Sequence, residues 1–183
     1  NLTVIFEPGA EVIAESGQAS ITIGDTSILR NQSEAVVTFK GYGNFTNVSF
    51  RVMGMGTSNN PGTKTSFYLN CNNVTNNNGN YCFYWSNVKE FKCKFKKVTG
   101  GDNLFDSDHF GGNAEFDGDT VLNVQGLLFY TDNFIRINLT LKNMRIIDLG
   151  GNSLIFIDNS DTSLIRFENV YLGQFSYTGE YCI

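Results

Sequence analysis

A short pattern recurs six times along this chain of 183 residues. In each copy an apolar residue is followed by any residue, then usually by Asn, and then by Val or Met. The third position of the pattern falls at Asn47, Asn73, Lys97, Asn123, Asn143 and Asn169, and the successive differences are 26, 24, 26, 20 and 26. A unit of this length cannot bury its own apolar face, so consecutive units must stack on one another. The repeat therefore predicts a solenoid, with one shorter turn between Asn123 and Asn143.

The segments between the repeat positions have the character of strands. Short runs such as 35–39, 48–52 and 137–141 are rich in β-branched and aromatic residues, and no amphipathic helical run of ten or more residues occurs. The 23 Asn and 19 Gly residues suit left-handed turns, so we expect each repeat Asn to form a one-residue bend and to hydrogen-bond from turn to turn. An antiparallel sandwich is the alternative, but Asn78-Gly79 and Asp117-Gly118 are the few hairpin signals for it.

These turns of about 24 residues, with an Asn ladder between short strands, resemble the pectate-lyase-like superfamily over residues 40–175. The segment FEPGA (6–10) is similar to the start of the β-helix in bacteriophage tailspikes and appendages. The resemblance implies an all-β fold, a right-handed single-stranded parallel β-helix. We expect one domain over 1–183, with a lead-in segment at 1–40, regular coils over 41–175, and a cut edge or the start of a further segment at 176–183.

The segment GGDNLFDSDHFGGNAEFDGD (100–119) holds six of the 18 acidic residues and the only histidine, His109. Counting from the repeat positions places Asp108 beside Tyr84, and His109 beside Trp85, one turn earlier. Aromatic rings beside carboxylates are typical of carbohydrate sites, and paired carboxylates can hydrolyse glycosidic bonds. The candidate catalytic residues are Asp106, Asp108 and His109, and the candidate substrate-binding residues are Tyr84, Trp85, Asp102 and Arg136.

The acidic segment 100–119 can be compared with a known enzyme site, with a Ca²⁺ loop and with a purely structural turn. In polygalacturonase-like enzymes Asp residues and a His line the groove, but there they are spread along the chain, and Arg136-Ile137-Asn138 matches only part of their Arg-Ile-Lys segment. A Ca²⁺ loop beginning at Asp106 would place Phe110 where an oxygen ligand is needed. The remaining alternative is structural: the segment is a turn or a solvated strand face, and Trp85 is a core or rim residue instead of a sugar platform. No metal or cofactor is predicted.

Charge and cysteine content limit the possible partners. A net charge of −5 and a pI near 4.8 argue against a nucleic-acid partner, and no apolar run reaches the roughly 20 residues that would insert in a membrane. The four cysteines form no CxxC motif. Cys71 and Cys82 flank a polar loop and are candidates for a disulfide, or else the thiols are small core residues.

The resemblance to tailspikes implies a function at a cell surface. It implies a virion appendage, outside the cell, that adsorbs to a host by binding its surface polysaccharide, commonly as a homotrimer. The alternative on the same fold is a polysaccharide hydrolase or lyase. A second alternative, a cell-surface adhesin or glycoprotein, is suggested by six N-x-[ST] sequons, at Asn1, Asn31, Asn44, Asn47, Asn73 and Asn138.

Overall fold

The computed structural model describes residues 1–15, 17–24, 35–54, 65–77, 79, 81–124, 128–150, 155–157 and 162–173. Its strands, in chain order, are β1 (Leu2–Phe6), β2 (Glu11–Ile13), β3 (Ala19–Ile23), β4 (Ala35–Gly41), β5 (Asn44–Thr46), β6 (Val48–Met53), β7 (Thr65–Asn70), β8 (Asn73–Asn76), β9 (Tyr81–Ser86), β10 (Glu90–Gly100), β11 (Asn103–Val124), β12 (Phe129–Lys142), β13 (Arg145–Leu149), β14 (Ile155–Ile157), β15 (Thr162–Glu168) and β16 (Tyr171–Leu172). Every pairing described between them is parallel.

Three stacks of parallel strands share this order, and we call them faces 1, 2 and 3. Face 1 runs from β1 through β4, β7, β10, β11 and β12 to β15. Face 2 runs from β2 through β5, β8, β10, β11 and β13 to β16. Face 3 runs from β3 through β6, β9, β11 and β12 to β14. The long strands β10, β11 and β12 bend at the corners and serve more than one face. The chain is an all-β parallel β-solenoid.

The turn length agrees with the repeat over the middle of the chain. On face 1 the residues Phe67, Phe91, Ala114, Leu139 and Ile165 pair in succession, so neighbouring turns there are separated by about 25 residues, within the usual range for solenoid repeats. The first two steps on that face, from Leu2 to Val37 and from Val37 to Phe67, are longer. The predicted solenoid is confirmed, and the antiparallel sandwich is not what the chain forms.

The core is a column of aromatic rings enclosed by the three faces. Because side chains alternate along a strand, every second residue of each face points inward. Phe50, Phe83 and Phe105 pair in register on face 3, and their rings stack at centroid distances of 6.0 and 5.9 Å. All three rings are fully buried, as is Phe116 of face 1, whose ring lies 4.1 Å from that of Phe105. The high Phe content thus supplies a continuous core from turn to turn.

Four of the repeat asparagines form the predicted bends. Asn47, Asn123, Asn143 and Asn169 have φ angles of 54° or 55°, in the left-handed region. The side-chain Nδ2 of Asn169 donates to Oδ1 of Asn143 at 3.1 Å, one turn away, so the expected turn-to-turn hydrogen bond is present there. Asn87, which the pattern missed, adopts the same left-handed bend.

The six repeat positions do not form one ladder, however. Asn73 pairs with Lys97, but on its other side it pairs with Asn44 instead of Asn47. Asn123 and Asn143 lie at different corners, since Asn123 lies at the end of the face 2 part of β11, next to Val124, and Asn143 follows the face 1 part of β12. The shorter turn inferred from the close spacing of these two residues was therefore wrong, because the motif marks bends at more than one corner.

The first residues of the chain already belong to the solenoid. Within the lead-in segment, β1, β2 and β3 place one strand on each of the three faces. The segment 176–183 lies outside the described residues. No helix in the described part of the chain is long and apolar enough to cross a bilayer.

Three of the four cysteines are buried free thiols: Cys71, Cys82 and Cys93. The expected alternative of small core residues therefore describes Cys71 and Cys82, and the two are not joined by a disulfide. Cys82 Sγ donates to the carbonyl oxygen of Gly100 at 3.3 Å, and burial raises the pKa of this thiol to about 12. Burial, followed by the hydrogen bond between the Cys93 thiol and Cys71, also raises the pKa of Cys93.

These thiols are therefore expected to resist modification. The reactive form of cysteine is the thiolate, which burial disfavours at Cys82 and Cys93, and all three buried sulfur atoms are shielded from a reagent in solvent. In a Cys182→Ser variant, which removes the thiol outside the described residues, 5,5′-dithiobis(2-nitrobenzoate) at pH 8 should titrate none of the three in the native protein. All three should react within minutes after unfolding in guanidinium chloride. A native thiol that reacts as fast as the unfolded control would contradict the burial of its sulfur.

Candidate functional site

A row of polar and aromatic side chains crosses the outside of face 3. Arg51 pairs with Tyr84, Tyr84 with Asp106, and Asp106 with Tyr130, so the four residues occupy consecutive turns. Their strand neighbours Phe50, Phe83, Phe105 and Phe129 are fully buried. The strand alternation therefore directs the row toward solvent, where each member is half-buried. We call these four residues together with Tyr81 the tyrosine cluster.

Within this cluster the Tyr84 ring contacts both Arg51 and Tyr81. The guanidinium carbon of Arg51 lies 5.2 Å from the ring centroid of Tyr84, a cation–π contact. The rings of Tyr81 and Tyr84 have centroids 5.3 Å apart and planes inclined by 34°. Nε of Arg51 is buried and has no hydrogen-bond partner among the described residues. Arg51, Tyr84 and Tyr81 thus form a connected aromatic surface with a cation at one end, and strand pairing places Asp106 and Tyr130 on the two following turns.

Electrostatics keep the Tyr81 hydroxyl protonated. Burial raises the pKa of Tyr81, the carboxylate of Asp106 raises it further, and the nearby Arg51 guanidinium opposes both. Because the ordinary pKa of tyrosine is near 10, a raised pKa leaves the phenol neutral at physiological pH. Tyr81 is therefore a hydrogen-bond donor, and Asp106 supplies an acceptor in the same cluster.

The structure brings two of the predicted site residues together, in a different register from the one expected. Tyr84 pairs directly with Asp106, whereas Asp108 pairs with Ser86. The predicted neighbours of Tyr84 and Trp85 were Asp108 and His109, so that alignment was wrong by two residues for Tyr84. The error arose because Asn73 and Lys97 were used as the origin for face 3, although β8 connects to β9 through more residues than β10 to β11.

Trp85 lies inside the solenoid. Its side chain is fully buried and its ring packs against Phe91, Phe116 and Phe129 at centroid distances of 5.5–6.0 Å. In the strand alternation it is the inward neighbour of Tyr84, so the two rings cannot face the same ligand. A platform that uses both rings is therefore not formed, and the alternative interpretation of Trp85 as a core residue is the one that its burial supports.

The other predicted site residues lie along the path of β11 and β12. Asp102 is exposed at the corner before β11, and its N–H donates to the carbonyl oxygen of Gly79 at 3.0 Å. Asp108 also pairs with Asp132, and Arg136 pairs with Phe110 and Thr162. His109 belongs to β11 where the register shifts. The side chains of Asp108, His109 and Arg136 lie outside the described part of the structure, so their predicted roles stay predictions.

The acidic segment is one long strand that crosses three faces. Asn103–Val124 runs along face 3, passes a register shift between Asp108 and Gly112, and continues along faces 1 and 2. Asp106 therefore lies on face 3, whereas Glu115 and Asp117 lie on face 1. Carboxylates that are close in sequence are thus separated in space. Among the described residues no three His, Cys, Asp or Glu side chains gather into a metal-binding group.

A second polar surface lies outside face 1, where a groove of about 300 Å³ crosses the turns. Its wall includes Glu90, which accepts hydrogen bonds from Tyr68 and, at 2.6 Å, from Lys92. Burial acts to raise the pKa of Glu90, but the hydrogen bonds from Lys92 and Tyr68 outweigh it and hold the pKa below its usual value. Glu115 accepts a hydrogen bond from Lys142 Nζ at 2.9 Å.

Sequence reasoning missed Arg51, Tyr81 and Tyr130, as well as this groove. The signal for Arg51 was available, because the run VSFRV (48–52) alternates apolar and polar residues and marks Arg51 as outward-facing. Tyr130 follows Phe129 in the same way. Comparisons of this chain with known protein families, with curated proteins and with solved structures find no match.

Proposed function

We propose that this solenoid is a surface-recognition domain of a virion appendage, and that it adsorbs to a host cell by binding cell-surface polysaccharide through the tyrosine cluster. The observation that carries the proposal is the contact between Arg51, Tyr81 and Tyr84 beside Asp106 on the outside of a rigid parallel sheet. The extracellular location and the homotrimer that such appendages commonly form are parts of the same proposal.

The chemistry of the cluster suits a sugar chain. Tyrosine offers an apolar ring for the carbon-bound hydrogens of a pyranose and a hydroxyl for its polar edge. Asp106 accepts hydrogen bonds from sugar hydroxyls, while Tyr81 and Arg51 donate them. Tyr84 and Tyr130 are two turns apart, about 9.6 Å along the solenoid axis, so the row is longer than one ring and suits a polymer.

A rigid solenoid favours weak binding sites that act together. The ordered strands of face 3 hold the cluster in place before the ligand arrives, which reduces the entropy lost on binding. In a homotrimer three copies of the cluster would engage one polysaccharide-coated surface, and linked weak sites bind more tightly than any one of them. This mechanism requires no cofactor.

Loss of a tyrosine ring is expected to abolish much of the binding. Tyr84→Ala should weaken binding to a purified polysaccharide by at least about tenfold, because an aromatic contact and the cation–π contact with Arg51 are removed together. Binding would be measured by surface plasmon resonance against immobilised bacterial capsular polysaccharides and lipopolysaccharide O-chains. Tyr42→Ala is the matched control, because Tyr42 is 52% exposed and lies outside the cluster.

Two results would contradict the proposal. One is the absence of binding to any polysaccharide of the panel, and the other is equal binding by Tyr84→Ala and Tyr42→Ala. Thermal denaturation followed by circular dichroism would establish that both variants are folded. The comparison is informative because each variant removes one partly exposed tyrosine, and only one of the two belongs to the cluster.

A polysaccharide-cleaving enzyme is the second candidate, favoured by the position of Asp106 between Tyr84 and Tyr130. A carboxylate in the middle of a sugar platform lies where a glycosidic bond would pass. Incubation with each bound polysaccharide should then release reducing ends or unsaturated uronates, and Asp106→Asn should lose that release while it retains binding. If none of the bound polysaccharides gives a product, the enzyme candidate is excluded for them, and binding remains as the proposed function.

A further inference from the structure

The groove on face 1 is built from a regular block of six outward-facing side chains. Asn113, Asn138 and Leu164 pair across three turns, and Glu115, Thr140 and Arg166 pair across the same turns two residues further along. Neighbouring turns are about 4.8 Å apart and successive outward positions about 6.6 Å apart, so the block has the dimensions of one sugar residue with its substituents. This site lies on a different face from the tyrosine cluster.

The carboxylates of the groove are already neutralised by lysines. Glu90 is paired with Lys92 at 2.6 Å, and Glu115 with Lys142 at 2.9 Å. Each carboxylate therefore adds little repulsion toward an anion in the groove, since a cation lies in direct contact with it. The side chains of the groove that do not belong to these two ion pairs therefore determine which ligand it can bind.

Arg166 is the cation with the most remaining hydrogen-bonding capacity among the described residues of the groove. Among the described residues its acidic partner is Glu168, whose carboxylate oxygen lies 3.8 Å from the guanidinium, beyond hydrogen-bond distance, and the Arg166 side chain is 57% exposed. A guanidinium has five N–H donors in a planar fork that matches a carboxylate with two parallel hydrogen bonds. Arg166 is therefore suited to hold a ligand carboxylate.

The opposite row of the block offers an amide surface and an apolar contact. Asn138 Nδ2 donates to Asn113 Oδ1 at 3.0 Å. This bond does not use the side-chain amide hydrogens of Asn113 or the side-chain oxygen of Asn138, which can therefore bind a ligand. Leu164 pairs with Asn138 on the next turn and is 49% exposed. The two amide side chains and the neighbouring Leu164 together match a ligand amide that ends in a methyl group, as an N-acetyl substituent does.

We propose that the face 1 groove binds an N-acylated sugar acid, a pyranose that carries a carboxylate and an acylamino group. The carboxylate binds Arg166, the amide binds Asn113 and Asn138, and the acyl methyl group packs on Leu164. Ring hydroxyls bind Thr140 and the carboxylate of Glu115. The proposal goes beyond recognition by the tyrosine cluster, because it assigns a second site with its own ligand class on another face.

The test uses the methyl α-glycoside of N-acetylneuraminic acid as the probe, with binding measured by saturation-transfer NMR and by titration. Arg166→Gln is expected to weaken binding by about tenfold or more, because a charge-assisted bidentate contact is lost. Lys94→Gln is the matched control and should stay within about twofold of the wild type, the usual scatter for an exposed charge away from a contact. Lys94 is exposed on face 1 and does not line the groove.

Three comparison ligands separate the parts of the assignment. The methyl ester of the probe lacks the charge, the methyl glycoside of glucuronic acid lacks the acylamino group, and inorganic phosphate is a plain anion. Each should bind more weakly than the probe. Equal binding of the ester, of the glucuronide or of phosphate would overturn the assignment to an N-acylated sugar acid.

Two further outcomes would overturn the site itself. One is the absence of saturable probe binding up to about 20 mM, a concentration that would detect even a millimolar site. The other is unchanged binding by Arg166→Gln. Because the probe is a monosaccharide and the variant is on face 1, either failure is distinguishable from a failure of polysaccharide binding at the tyrosine cluster.

Discussion

Replacement of Phe83 by alanine is expected to lower the free energy of unfolding by about 4 kcal/mol, in the middle of the range for Phe→Ala in a core. The Phe83 ring is fully buried and stacks on Phe50 of the preceding turn and Phe105 of the next. It also contacts Phe91 and Phe116 of face 1. The variant thus leaves a cavity at the point where successive turns and two faces meet.

The effect would be measured by urea denaturation followed by circular dichroism. Phe83→Leu is the control, because it keeps most of the apolar volume and should cost about 1–1.5 kcal/mol. In a solenoid each turn is stabilised by its neighbours, so the alanine variant is also expected to broaden the transition as the two ends of the stack separate. Equal losses in the alanine and leucine variants would show that the aromatic stack adds little beyond generic apolar burial.

Gly54→Ala is expected to cost about 3 kcal/mol, because the backbone leaves no space for a side chain. Gly54 follows β6, and its N–H donates to the carbonyl oxygen of Ser86 at 2.7 Å. A Cβ at this position would lie 1.8 Å from the carbonyl oxygen of Asn87 on the next turn. The clash is with backbone, so the turns themselves must move apart.

Gly9→Ala separates this steric effect from ordinary glycine strain. Gly9 has a φ of +87°, but a Cβ there meets no atom within 4 Å. The substitution should therefore cost only the conformational penalty of about 1 kcal/mol. Both variants would be compared with the wild type by thermal unfolding. A Gly54→Ala loss no larger than that of Gly9→Ala would contradict the close approach of the turns at Asn87.

The sequence predicts the class of fold because the repeat and the strand alternation are local signals that agree. Asn47, Asn123, Asn143 and Asn169 mark left-handed bends, and the apolar residues next to them face the core. The buried positions Val48, Val74, Val98 and Val124, and Met144, all follow a repeat position directly. Counting residues along the chain from each repeat position therefore predicts which side chains of a strand point into the core.

Counting along the chain does not predict the register between turns, that is, which residues of neighbouring turns pair with each other. The first turns on face 1 are longer than those in its middle, and β11 carries a register shift between Asp108 and Gly112. In a strand a shift of one residue moves a side chain to the opposite side of the sheet, and a shift of two changes its neighbour. The β8–β9 connection is likewise two residues longer than the β10–β11 connection, which is why Asp106 and not Asp108 lies beside Tyr84. Such differences in corner length could not be read from one sequence.

The candidate sites depend on this register. Arg51, Tyr84, Asp106 and Tyr130 are far apart along the chain, and only pairing on face 3 makes them one surface. The groove on face 1 likewise joins residues from β11, β12 and β15. Conversely, the six acidic residues of 100–119 look like one cluster in the sequence, but the strand that contains most of them distributes Asp106, Glu115 and Asp117 over two faces.

The sequence by itself determined that this chain forms parallel coils around an apolar, Phe-rich core, since periodicity and backbone preferences are properties of short segments. Only the tertiary structure decided which side chains become neighbours across turns, that Trp85 is buried while Tyr84 faces solvent, and that Arg166 meets Asn113 and Asn138 in one groove. The physical reason is that local patterns specify the side of a strand on which a residue lies, whereas corner lengths and hydrogen-bond register specify its partners.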